Sequence, residues 1–79
     1  MTIEILRSAQ AQKLTGRPRS SFYQQISQGL LPPPIKLGAR AVGWLASEIE
    51  AVNKARIQGK SDDEIKILVA SLIKQRSQL

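Results

Sequence analysis

Cysteine and histidine are both missing from this chain of 79 residues. Without them there is no disulfide framework, no thiolate zinc site, no cysteine nucleophile and no imidazole general base. With no nucleophile–base pair to hand, the chain is expected to be neither an enzyme nor a binder of metals or cofactors. Aromatic residues are also scarce, with one Phe, one Tyr and one Trp. Core and phosphate-contact roles fit these rings better than stacking platforms for single-stranded nucleic acid. No run comes near the roughly 20 apolar residues that cross a bilayer. The opening MTIEILRSAQ has neither the basic nor the apolar region of a signal peptide, so a cytoplasmic location is expected.

Acidic residues are nearly absent from the first half. Residues 1–44 carry Arg7, Lys13, Arg17, Arg19, Lys36 and Arg40 against Glu4 alone, a balance of +5 within the chain total of +6. Residues 45–79 carry six cations against five acids. A basic N-terminal half joined to a nearly neutral C-terminal half points to a polyanion-binding face on an ordinary scaffold. The hydrophobic fraction of 42% suits one small folded domain rather than a disordered chain.

Helix punctuation divides the chain. Ser8 is placed to cap a first helix running to about Leu14, with Ala11 and Leu14 facing inward, and Thr15-Gly16 ends it. Pro18 suits the first turn of a second helix, which should run to Gln28 and close at Gly29. Pro32-Pro33-Pro34 forces a stiff extended connection. Two short β-prone runs, Ile35-Lys36-Leu37 and Val42-Gly43-Trp44, then flank a glycine-containing turn with Arg40 near its tip, which predicts a hairpin. Ser47 to Glu50 reads as a capping box for a third helix that stops at Gly59. Ser61 to Glu64 reads as a second box, opening a fourth helix with an Ile65, Leu68, Val69 and Leu72 stripe. The fold class expected is mostly α: a winged helix-turn-helix over residues 1–59, with an appended helix over residues 60–79 for docking or oligomerisation.

In a helix-turn-helix the second helix enters the major groove. Helical spacing puts Phe22 and Ile26 on the buried side of that helix, and Ser20, Gln24, Ser27 and Gln28 opposite them. Ser21 lies beside this polar patch and Arg17 at its start. Glutamine can pair with adenine, serine with several base edges, and arginine with guanine or phosphate. Arg19 and Tyr23 lie on the flanks, where phosphate contact is the natural role. Lys36 and Arg40 belong to the wing, and Arg40 is placed for a minor groove, whose negative potential attracts arginine. A Ser/Gln-rich face can also be no more than a solvated surface. The basic flanks and the hairpin separate the two readings. Trp44, at a strand end, is expected in the core.

Ile5-Leu6-Arg7, Leu14-Thr15-Gly16, Arg19 to Tyr23, Leu31 to Gly38 and Arg40 to Trp44 together resemble the AlpA family over about residues 3–59. These are small phage and genomic-island regulators related to MerR-type winged-helix and excisionase proteins. The resemblance implies double-stranded DNA binding at a promoter or attachment site. It also implies a role as transcriptional regulator or recombination directionality factor, with an integrase and self-association on DNA as further partners. Carried over by position, Arg19, Ser20, Ser21, Tyr23 and Gln24 fall in the recognition helix, and Lys36 and Arg40 in the wing. The chain departs from the family pattern in three places. Arg17-Pro18 replaces a leucine and a serine cap, Gln24 stands where a basic residue is common, and Val52-Asn53 replaces a bulkier pair, lightening the third helix.

Two roles stay open for the fourth helix: docking back to compensate, or pairing with another chain. A reading from a different class makes the protein an adaptor whose basic half meets an acidic partner protein. RNA binding is a third, less well supplied with stacking residues.

Overall fold

The computed structural model describes residues 3–79. It is mostly helical, with four helices and a three-stranded antiparallel sheet. In chain order the elements are β1 (Ile5–Leu6), α1 (Ser8–Thr15), α2 (Arg19–Ser27), β2 (Ile35–Lys36), β3 (Val42–Leu45), α3 (Ala46–Ile57) and α4 (Asp62–Gln75). A short 3₁₀ turn over Arg76–Gln78 follows.

The connection between α1 and α2 forms as the glycine dictates. Gly16 takes φ 69°, a left-handed conformation that L side chains rarely adopt, and the amides of Gly16 and Arg17 bond back to Lys13 and Gln12. Pro18 serves as the N-cap of α2 rather than as its first helical residue, and its carbonyl accepts from the Phe22 amide at 2.9 Å. Ser8 does not cap α1. It is the first helical residue, Arg7 stands at the cap, and the Gln10 side chain accepts the Arg7 amide. Leu14 also departs from expectation, lying exposed at the edge of α1 while Ala11 is fully buried.

The expected hairpin is present: β2 pairs β3 with Ile35 opposite Gly43 and Lys36 opposite Val42, and the Leu37 amide closes onto the Ala41 carbonyl at 2.8 Å. The sequence reading assigned no strand before α1. β1 pairs the far edge of β3, Ile5 opposite Leu45 and Leu6 opposite Trp44, giving the order β1-β3-β2. Gly43 is where the two ladders crowd together. A Cβ there would stand 2.5 Å from Ile5 Cγ2 and 3.2 Å from the Leu6 carbonyl. Gly43→Ala is therefore expected to cost about 1–3 kcal/mol through overpacking, read as a lower unfolding midpoint, and an unchanged midpoint would show that β1 yields freely.

β3 runs directly into α3, so the Ser47 capping box does not form. The helix starts at Ala46, whose amide is taken by the Glu4 carbonyl at 2.9 Å. Glu48, in the first turn of α3, is buried. The second box forms as expected. The Ser61 hydroxyl accepts the Glu64 amide at 3.2 Å, and Glu64 accepts the Ser61 amide at 3.1 Å. That backbone bond holds the Glu64 carboxyl below its ordinary pKa, so the carboxylate's half of the box is in place at neutral pH and its contribution is lost as pH falls through the lowered value.

The core gathers Phe22, Leu30, Leu31, Trp44, Ile49, Val52, Ile65 and Val69, with Ile26, Leu68 and Leu72 packed against it. Phe22 and Trp44 meet edge to face, with ring centroids 5.2 Å apart. Val52 contributes despite its modest size, and α4 docks its apolar stripe back onto α3.

Candidate nucleic-acid interface

α2 turns one face inward and the other to solvent. Phe22 is fully buried and Ile26 packs on the core, whereas Arg19, Ser20, Tyr23, Gln24, Ser27 and Gln28 are exposed. No acidic residue lies in its first turn, and no side chain caps its N-terminal amides. The positive end of the helix dipole is thus left uncompensated.

The side chains flanking this face are held in place. The Arg17 guanidinium donates to the Ser21 hydroxyl at 3.1 Å, tying the interhelix turn to the first turn of α2. Arg19 lies over the Tyr23 ring at 5.8 Å. Tyr23 in turn packs edge-on to Phe22 and shares a 2.9 Å hydrogen bond between its hydroxyl and that of Ser8, which also accepts from Gln12. Ser8, predicted as a cap, instead fixes the Tyr23 phenol, and so indirectly the cation stacked on it. Only the four-residue spacing of Ser8 and Gln12 hinted at this. Gln25 is not on the exposed face. It accepts from Arg56 of α3 at 3.2 Å, and Asn53 of α3 donates to the Leu14 carbonyl at 3.0 Å, so α3 braces both helices of the pair.

In the β2–β3 hairpin, Lys36 and Arg40 are exposed. Among the described residues, no side-chain hydrogen bond links either of them to α2.

The cations of the two halves differ in their pairing. Among the described residues, the ion pairs are Arg56–Asp62, Lys60–Glu64 and Arg76–Glu48, all within the C-terminal half. Arg7, Lys13, Arg17, Arg19, Lys36 and Arg40 join none of them. The basic half thus keeps its charge available, while the C-terminal half spends three cations on its own architecture.

A family model described as "Prophage CP4-57 regulatory protein (AlpA)" matches residues 4–57. The chain belongs to the AlpA family. The match runs from β1 to the end of α3, and α4 lies beyond it. The chain is also similar to the ORF88 protein of Enterobacteria phage P4, 40% identical over 55 residues. That stretch is 70% of this chain and 62% of the phage protein, so it spans less than two thirds of its relative. No solved structure matches. As an AlpA-family chain, the protein belongs to a family of phage regulators, and none of its described helices is long and apolar enough to cross a membrane.

Proposed function

We propose that this AlpA-family protein is a winged helix-turn-helix that binds double-stranded DNA sequence-specifically and regulates a prophage or genomic island. It would act in the cytoplasm, without catalytic chemistry. In this reading α2 lies in the major groove, Ser20, Gln24 and Gln28 face base edges, and Ser21 helps set the Arg17 guanidinium. Arg17, Arg19 and Tyr23 meet phosphates, with the open N-terminus of α2 adding amide donors. Lys36 and Arg40 carry the wing to the adjacent minor groove. The observation that carries the reading is that the six cations of residues 1–44 join no ion pair among the described residues, in the same half of the chain as the exposed, acid-free face of α2. Within this function, the family context favours a promoter of an integrase gene or an attachment site. At the latter the protein would act as a recombination directionality factor with integrase as partner.

The test is fluorescence anisotropy with duplexes from the promoter and attachment regions of the host element, against a random duplex and an RNA of the same sequence. Preference for one native duplex is expected, and equal binding to all four probes removes sequence-specific DNA recognition. Gln24→Ala is expected to lose about 1–3 kcal/mol on the preferred duplex and far less on the random one. An equal loss on both takes Gln24 out of base readout. Capture of an acidic protein by a chain with no duplex affinity would instead support the adaptor reading.

A further inference from the structure

Arg76 reaches two places that have no neighbourhood in the sequence. Its Nε and Nη2 donate to the two carboxylate oxygens of Glu48 at 2.9 and 2.6 Å, and Nη2 also donates to the Pro33 carbonyl at 2.8 Å. Glu48 lies in the first turn of α3, immediately after β3, and Pro33 lies two residues before β2. A single guanidinium from beyond α4 therefore grips both roots of the hairpin, the point where the chain enters β2 and the point where it leaves β3.

The hairpin needs such a grip. Only two residue pairs join β2 to β3, and Lys36 to Arg40 project into solvent. So short a ribbon has little stability of its own, and its direction is set by what holds its base. On the β3 side that hold includes β1. On the β2 side the approach is Pro32-Pro33-Pro34, where none of the three residues has an N–H to donate. Carbonyls are what this segment has to offer, and Arg76 takes one of them. The planar guanidinium fixes direction as well as distance, because its donors lie in a rigid fork. Burial of apolar groups could supply stability at this site, but it could not hold a carbonyl in a given orientation.

We propose that Arg76 is a positioning residue for the wing: by clasping Glu48 and Pro33 it fixes the direction in which the β2–β3 hairpin leaves the core. This rests on the wing reading of Lys36 and Arg40 proposed above. It assigns the C-terminal extension, which lies outside the family match, a part in DNA engagement without contact to DNA.

Two variants test it. Glu48→Met/Arg76→Leu removes the clasp and keeps the site filled, so the fold is retained. Arg76→Lys keeps the charge beside Glu48 but lacks the fork that reaches Pro33, and it carries the same readouts should the double variant not fold. In the free protein, backbone NMR relaxation and amide exchange at Lys36 to Val42 are expected to show increased motion, with α1 and α2 unchanged. On a labelled random-sequence duplex, affinity is expected to fall about tenfold, and the log–log salt slope to become shallower by about 1–2 as the wing cations disengage. In a Lys36→Ala/Arg40→Ala background the same substitutions should cost almost nothing further, since no wing contact is left to lose. A hairpin as ordered as in wild type overturns the proposal, as does a loss that adds in full to the wing variant. Should the wild-type chain fail to bind duplex at all, the DNA-binding reading falls, and the relaxation measurement alone still decides whether Arg76 positions the hairpin.

Discussion

Raising salt from roughly 50 to 200 mM is expected to weaken duplex binding about a thousandfold, the loss that follows from neutralising about six phosphates at a slope near −5. The pairing pattern, not the net charge, sets how many cations are free to meet phosphates. A chain of +6 could hold its cations in internal ion pairs and offer few to a partner. Here the C-terminal half does so with Arg56, Lys60 and Arg76, and its remaining charges nearly cancel. Arg7, Lys13, Arg17, Arg19, Lys36 and Arg40 share residues 1–44 with Glu4 as the sole acid and form no ion pair among the described residues. Ions condensed on DNA are released as such side chains replace them, and this release gives the slope. Anisotropy across a salt series on one duplex measures it. A slope near zero would falsify electrostatic duplex binding. A slope near −3 would mean that only α2 and its flanks engage while the wing stays clear. Removing Lys36 and Arg40 together should then change nothing, whereas in the full mode it makes the slope shallower by about 2.

Which parts of this architecture could be read from the chain follows from how far each signal travels. Gly16 and Gly59 sit at φ 69° and 76° because a helix end needs a left-handed residue, a demand expressed within one turn. The Ser61 to Glu64 box is equally local, and so is the Ile65, Leu68, Val69 and Leu72 stripe; each formed as read. The exposed face of α2 follows from helical spacing about Phe22, so the candidate site was legible once the helix was. The identical grammar at Ser47 to Glu50 failed for a non-local reason. β1 brings the Glu4 carbonyl to the Ala46 amide, 42 residues on, which starts the helix early and leaves Ser47 inside it. Two residues of strand at Ile5–Leu6 carry no periodicity to detect, and β1 exists because β3 offers an edge. Ser8 likewise trades a local cap for Tyr23, 15 positions on. Punctuation and periodicity are written within a few residues, whereas the choice of a distant partner is not.

Arg76→Ala is expected to destabilise the fold by about 3–5 kcal/mol, because it leaves the Glu48 carboxylate buried without a counter-charge. Against a total of about 5–15 kcal/mol for a small domain, this is as large as truncating a fully buried core side chain such as Ile49 or Ile65. The contrast with Arg56–Asp62 isolates the cause. Both pairs have a guanidinium within 3 Å of a carboxylate, but the Glu48 side chain is 5% exposed and that of Asp62 is 65% exposed. Water can replace the partner of Asp62, so truncating Arg56 should cost only about 0–1 kcal/mol from that pair. The Glu48 carboxylate, nearly fully buried, has no such access to water. By the same reasoning, Glu48→Met/Arg76→Leu should stay within about 1 kcal/mol of wild type or exceed it, since the penalty belongs to the unpaired charge and not to the loss of an attraction. Urea unfolding of the three variants, with slopes compared to confirm a common unfolded state, measures this. A small loss for Arg76→Ala would mean that Glu48 already meets solvent. A large loss for the double variant would mean that the site depends on the hydrogen bond to Pro33 for its stability as well as for its direction.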